Sequence, residues 1–361
     1  MASTAMTRSA GAQNALTTGR LRAWVPWAIL GGSIALMIAI VALGSAAADG
    51  DFNIALAVFL GVVLYAILIF TVSVLVEGVR QAKDRLVTAL VATAFVVALL
   101  PLISLTWTVV VNGSQRFDLE FFTWSMRNVT GFGGGAIHAI IGTLEITAIA
   151  TIISVPIGLM TSIYLVEYGR GPLARTVTFL VDVMTGIPSI VAGLFAYALF
   201  SLILGPGTRS GISAAIALSV LMIPVVVRSS EEMLRVVPNE LREASYALGV
   251  PKWRTIVKVV LPTSIAGITT GVMLSIARVI GETAPLLITA GFTASVNTNP
   301  FDERMLSLPV FVYTQYSQQG NPPEAYLDRA WAGALTLILI VMLLNLVARA
   351  VARFFAPRTG R

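Results

Sequence analysis

Four charged side chains lie inside stretches otherwise apolar enough for hydrocarbon: Glu145, Asp182, Arg278 and Glu282. Charge at that depth is expensive, so each needs a partner or a task. Arg278 and Glu282 are four residues apart, which on one helix puts them on one face and lets them neutralise each other. Two chemistries fit that spacing. One is a salt bridge locking two helices; the other is a guanidinium fork offered to a tetrahedral oxyanion, with an acceptor beside it. Gly281 between them lets a neighbouring backbone come close. Glu145, in the outer third of its stretch, can pair with an arginine or line an entrance, while Asp182, near an inner end, reads as a cap or an anchor. Arg228, at the inner end of its own stretch, is either an exit contact or a cation reaching for headgroups.

The remaining inventory excludes more than it offers. Cysteine is absent, which removes disulfides, thiolate metal sites and a cysteine nucleophile. The single histidine, His138, cannot build a multi-histidine site and reads as a hydration or capping group at a helix start. Glycines between Gly131 and Gly135 suggest a dinucleotide fingerprint, but no strand precedes them and no acid follows at the right distance, so they read as a turn. With no metal or nucleophile constellation, an intramembrane enzyme is disfavoured.

The elements that must position these residues are membrane helices. Hydrophobic residues make up 57% of the 361 and charged ones 12%, more apolar surface than a soluble domain of this length can hide. Eight stretches are long enough to span about 30 Å of hydrocarbon. They run Trp27–Ala47, Phe52–Val76, Leu86–Val111, Ile137–Leu165, Thr178–Leu204, Ile212–Val227, Leu261–Phe292 and Trp331–Ala352. With the N-terminus inside, 18 of the 24 Lys and Arg residues fall on the cytoplasmic side and 5 on the other, as the positive-inside rule requires. The net charge of +6 is therefore a topology signal and not a nucleic-acid footprint. Residues 1–26 read as a disordered cytoplasmic tail, 27–85 as a two-helix hairpin turning at Asp49-Gly50-Asp51, 86–354 as the main body and 355–361 as a second cytoplasmic tail.

The longest inner connection, Arg228 to Val260, carries the most information. Pro238-Asn239-Glu240-Leu241 opens a short helix that runs Arg242–Leu248 and stops at Gly249. Pro251 restarts a helix over Lys252–Lys258, leading to Leu261-Pro262 at the membrane face. Small Ala244, Ser245 and Ala247 suit a groove, and Arg242 and Glu243 can set the register there. On residue chemistry alone this is either a docking helix or an amphipathic interfacial one.

A resemblance separates the two. Glu243-Ala244-Ser245, then Gly249, then Leu261-Pro262 resembles the docking loop of binding-protein-dependent importers of the ATP-binding-cassette class. There the pattern is Glu-Ala-Ala, three residues, Gly, nine residues, Ile-x-Leu-Pro. Ser245 stands in place of the second Ala, and a register on Ala244-Ser245-Tyr246-Ala247 stays open. The stretch Ala277–Leu286, with Gly281-Glu282-Thr283-Ala284-Pro285, resembles the signature of the phosphate-specific importer's A-type permease. So do Ile223–Leu234, Tyr164–Tyr168 and Gly186–Leu194. The resemblance implies an all-α polytopic subunit with the type I importer fold: about eight transmembrane helices, a six-helix core plus the added N-terminal hairpin. It implies that Arg228, Arg278, Glu282 and Thr283 line the substrate pathway. It further implies that Glu243, Ala244, Ser245, Gly249, Leu261 and Pro262 form the loop that docks an ATPase.

On the same ground the chain is expected to be non-catalytic and without a cofactor, ATP and Mg being bound by the partner ATPase. The expected partners are a homologous C-type permease, an ATP-binding subunit dimer, an external phosphate-binding protein and membrane lipid. The expected location is the cytoplasmic membrane of a prokaryote, with both termini inside. The competing readings are a permease for another oxyanion or small nutrient, and a passive channel, which gives a docking helix no role.

Overall fold

A chain in hydrocarbon has no water to satisfy its backbone, and a helix meets every N–H and C=O within its own segment. The computed structural model describes residues 21–47 and 53–355, and among these the regular elements are all helical. In order they are α1 (Val25–Ala47), α2 (Ile54–Val76), α3 (Val79–Gly113), α4 (Leu119–Thr123), α5 (Ile137–Ile163), α6 (Pro172–Thr185) and α7 (Ser189–Leu204). There follow α8 (Gly211–Val236), α9 (Asn239–Ala247), α10 (Lys252–Thr255), α11 (Leu261–Val279), α12 (Ala284–Thr289), α13 (Leu308–Ser317) and α14 (Pro323–Phe355). Among the described residues seven helices are long and apolar enough to cross a membrane, and α6 with α7 makes an eighth if that bent pair is one span.

Contacts divide the chain into two units, one ending at Thr106 and the other beginning at Trp107. In the first, Asn53 starts α2 by accepting the Leu56 N–H at 3.0 Å. Helices α1 and α2 pack so closely that a Cβ built on Gly61 would lie 2.8 Å from the Ile34 Cα. Glu77, just after α2, is almost wholly buried and takes Arg85 Nη2 and the Leu21 N–H at 2.7 Å each. The bond to Arg85 holds its carboxyl down at about 2. Helix α3 therefore begins before Leu86, within the basic segment that the sequence reads as a connection. The proposed turn at Asp49–Asp51, most of the N-terminal tail and residues 356–361 lie outside the described residues.

In the second unit, Ile146, Leu218, Met222, Val279, Leu306 and Phe311 form one buried core drawn from α5, α8, α11, α13 and the segment before α13. Small residues let backbones approach, as membrane bundles require. Helix α8 is central. Gly158 of α5 lies against Val226, and the Ser219 hydroxyl faces the Ala150 carbonyl, so α5 and α8 run in the same direction. Gly267 and Gly271 of α11 lie against Met233 and Ser229, so α11 runs antiparallel to α8.

Two expected spans are broken. The fifth is not one helix over Thr178–Leu204: α6 ends at Thr185, and α7 leaves it at 108°. The cause is Gly186-Ile187-Pro188, where proline has no N–H to continue the ladder and pushes Ile187 out of the helical region. The seventh, Leu261–Phe292, ends as a helix at Val279 and resumes only at Ala284. Pro285 supplies the restart in the first turn of α12, where its missing N–H costs nothing. The sixth stretch runs past Val227 to Val236, because the charges in its extra turns are paired with one another.

Candidate functional site

Beyond the end of α8 the chain folds back into a compact helical hairpin. Helix α9 closes with Gly249 at φ +73°, a backbone position that a side chain disfavours. The Gly249 N–H donates to the Tyr246 carbonyl at 2.9 Å and the Val250 N–H to the Ser245 carbonyl at 3.2 Å. These two bonds are the paired C-terminal cap that glycine permits. Tyr246, Ala247 and Leu248 are the three residues between Ser245 and Gly249, the number the docking pattern carries when Glu243 stands first. The restart at Lys252 continues through a wider turn at Ile256–Val260 into α11, so Leu261 and Pro262 lie inside one continuous helix. A wide turn accommodates Pro262, which cannot donate back to the preceding turn.

One face of this hairpin is bolted to its own chain. Glu167, buried in the wide turn at Tyr164–Tyr168 after α5, takes Arg242 Nη2 at 2.9 Å. The same guanidinium donates to the Val237 and Leu234 carbonyls at 2.6 and 3.0 Å. Lys252 donates to the Glu167 carbonyl and lies over the Tyr168 ring at 4.8 Å. Ser245 and Thr255 share a buried hydroxyl bond of 2.8 Å, which clips α9 to α10. The opposite face has no partner among the described residues. Glu243, Ala244, Tyr246, Ala247 and Gly249 are exposed there, and Leu248 is 83% exposed. Arg242, expected to set the register in a partner's groove, is thus spent on internal fastening. Glu243 alone of that pair faces outward. Glu167 escaped the sequence reading because nothing in the spacing of residues 75 positions apart announces a bond.

The pathway residues fall into two groups. Arg228, on α8, donates to Asp182 of α6 and to Glu231 at 2.8 Å, while Glu231 also takes Arg235 at 2.5 Å. Asp182 is therefore an anchor, holding α6 to α8. Arg278 has a different environment. It sits in the last turn of α11, exposed, with no ion pair or hydrogen bond to its side chain among the described residues. Glu282 does not share its helix face as the four-residue spacing suggested, because α11 ends between them. The Glu282 N–H bonds back to Val279 at 3.1 Å, and its carboxylate, half-buried, takes no partner among the described residues. Thr283, also half-buried, is the last residue before α12.

Depth follows from the register of α11 on α8. Four residues forward on α11, from Gly267 to Gly271, match four back on α8, from Met233 to Ser229. Extending this places Arg278 opposite Met222, near the middle of α8. Arg228 is six residues further towards the docking hairpin, about 9 Å along the axis.

For two further groups one of the two expected roles drops out. Glu145 pairs with no arginine among the described residues, and its Oε2 is buried without a partner. His138 is buried edge-on against Phe311 at 5.7 Å, and neither ring nitrogen is bonded to a described residue, so it caps none of the described helices.

Comparison with known proteins fits this geometry. Residues 154–361 match the family described as binding-protein-dependent transport system inner membrane component. Over 285 residues the chain is 49% identical to the phosphate transport system permease protein PstA 1 of Mycobacterium tuberculosis, covering 78% of this chain and 91% of that one. The PstA protein of Yersinia pestis is 39% identical over 276 residues, covering 75% and 90%. Among solved structures, a bacterial alginate ABC transporter in complex with an alginate pentasaccharide-bound periplasmic protein contains a chain 14% identical to this one. It superposes with a TM-score of 0.54 over 77% of this chain and 97% of its own, and at that identity the likeness concerns the fold alone.

Proposed function

Because this chain belongs to the binding-protein-dependent transport system inner membrane components, we propose that it is the permease subunit through which inorganic phosphate crosses the cytoplasmic membrane. The observation that carries the reading is Arg278, an unneutralised guanidinium at mid-depth beside a break in its helix. An apolar bundle keeps such a charge only where a counter-charge visits it. Phosphate at neutral pH still carries a proton, so Arg278 takes its charge while Glu282 accepts its O–H. Sulfate has no proton to donate and would leave the carboxylate unpaired in a site with little water. Thr283 adds a hydroxyl beside the break. Arg228 is the next cation towards the docking end, and it receives the anion by exchanging Asp182 for it.

The exposed face of α9, with Glu243, Ala244, Tyr246 and Leu248, is the surface that enters a cleft of a separate ATPase. ATP and Mg are bound there and not in this chain. The fastening of α9 through Glu167, Arg242 and Lys252 makes that docking mechanical, since a push on α9 is carried into α5, α8 and α11. The excess of Lys and Arg at this end puts it, and both termini, in the cytoplasm. A homologous C-type permease completes the pathway, an ATPase dimer drives it and an external phosphate-binding protein delivers the anion. The first two helices are an addition to a six-helix core.

The test is uptake by the complex reconstituted in liposomes with its ATPase, partner permease and binding protein. Labelled phosphate should accumulate with ATP and labelled sulfate should not. Equal uptake of both anions, or of neither, would overturn the phosphate reading.

A further inference from the structure

At the docking end the arginines of α8 and α9 are paired with carboxylates. At the start of α8 two arginines are not. Arg209 immediately precedes Ser210, the cap of α8, and Arg304 lies in the segment between α12 and α13. Both side chains pass over Gly291, whose φ is +78°. A Cβ built on Gly291 would lie 3.0 Å from Arg209 Cδ and 3.1 Å from Arg304 Cδ, so the two stems run side by side across one point. A side chain at that position would fill the space they share.

The convergence is built by the backbone. The residue after each arginine is bonded to the strip of chain that precedes Gly291: Ser210 N–H donates to the Thr289 carbonyl at 3.1 Å, and Met305 N–H to the Ala290 carbonyl at 3.2 Å. The Ile212 N–H holds the Pro300 carbonyl at 2.7 Å, and Asn297 Nδ2 holds the Asp302 and Arg304 carbonyls at 2.8 and 3.2 Å. Two cationic side chains thus share one approach, with no carboxylate paired to either among the described residues. Neither guanidinium has an ion pair or hydrogen bond among the described residues, although Asp302 and Glu303 are close in sequence. Arg116, on another segment at this end, shows the ordinary solution by pairing with Asp118 and Glu120.

We infer that Arg209 and Arg304 form a receiving site for a tetrahedral oxyanion, inorganic phosphate, at the outer end of the permease. A dianion neutralises both cations at once, and guanidinium forks match its oxygens better than ammonium groups do. The pair also has somewhere to pass its ligand. Gly291 follows α12 and Arg278 precedes it, and α12 has six residues, about 9 Å of helix. The inference rests on the phosphate-permease reading and on the orientation given with it.

The experiment uses the assembled complex in nanodiscs, with equilibrium dialysis of labelled inorganic phosphate in the absence of the external binding protein. Phosphate held by the ATPase subunits is common to every variant and cancels in the difference. The Arg209→Gln/Arg304→Gln double variant should bind phosphate at least tenfold more weakly in the permease, and Arg209→Lys/Arg304→Lys should recover part of that loss. In liposomes the double variant should raise the KM for uptake more than it lowers kcat. Should the double variant not assemble, Arg304→Gln alone, in an exposed segment, should weaken binding about threefold. Wild-type phosphate binding in the variants would overturn the inference. So would unchanged phosphate binding with lost affinity for the loaded binding protein, which would make the pair a protein-docking surface. Wild-type complex that transports no phosphate would refute the function itself, a result separate from either.

Discussion

The two ends of α8 treat arginine in opposite ways. Towards the docking hairpin, Arg228 meets Asp182 and Glu231, Arg235 meets Glu231, and Arg242 meets Glu167. At mid-depth and at the far end, Arg278, Arg209 and Arg304 meet no carboxylate among the described residues. All six are the same side chain, yet Arg228 and Arg242 act as rivets between elements, Arg235 is braced within α8, and the second three have no carboxylate partner among the described residues. In a bundle with so few charges, a guanidinium paired across two elements holds them together, and under the proposed function and the inference drawn from it the unpaired ones are kept for a charge from outside.

The comparison breaks most visibly at Arg278. Arg278→Ala should reduce phosphate uptake to background while the complex still co-purifies with its ATPase, since no ion pair or hydrogen bond among the described residues is lost; uptake near wild type would remove Arg278 from the pathway. The next largest effect belongs to the rivets. Glu167→Ala strands the Arg242 charge in a buried position, and breaking such a pair costs roughly 3–5 kcal/mol. Amide exchange across residues 239–250 should accelerate and ATPase retention should fall, whereas exchange left unchanged would show that the hairpin does not depend on this pair.

A third substitution separates the face from its fastening. Leu248→Glu, on the exposed side of α9, should lower ATPase affinity about tenfold without changing the thermal midpoint of the isolated subunit. A lowered midpoint with intact docking would reverse that assignment. The smallest effect is expected in the first unit, where Glu77 is held by Arg85 and its carboxyl is depressed to about 2. A depressed carboxyl stabilises the fold above its unfolded value near 4.5 and loses that contribution as pH falls towards 2. In Glu77→Gln the fall in thermal midpoint between pH 4.5 and 2 should be shallower than in wild type, and an identical slope would show that the pair contributes nothing.

Much of this was legible in the sequence. Apolar run length located all the spanning stretches, and the proline and glycine around α9 marked its ends, because helix starts and stops are local chemistry. Breaks inside apolar runs were harder to see. Gly186-Ile187-Pro188 is as apolar or as small as its surroundings, Gly281-Glu282 reads as one charge in an apolar run, and hydropathy registers neither the bend of 108° at the first nor the break at the second. The expected pairing of Arg278 with Glu282 failed for that reason, since it assumed an unbroken helix. Glu167 was visible only as part of a motif, and its role depends on a residue 75 positions away.

By itself, then, the sequence determined that the bilayer is the solvent, which end of the chain's helices is basic, and where α9 begins and stops. Those properties depend on composition and on neighbours within a few residues. Only the tertiary structure decided which arginines are neutralised by another element. That depends on which helix lies beside which: α6 brings Asp182 to Arg228, the turn after α5 brings Glu167 to Arg242, and the strip before Gly291 holds Arg209 and Arg304 together. The pairs Arg228–Glu231 and Arg235–Glu231 follow from three- and four-residue spacing on α8, but pairing between elements is a property of packed helices, and no spacing along a single one encodes it.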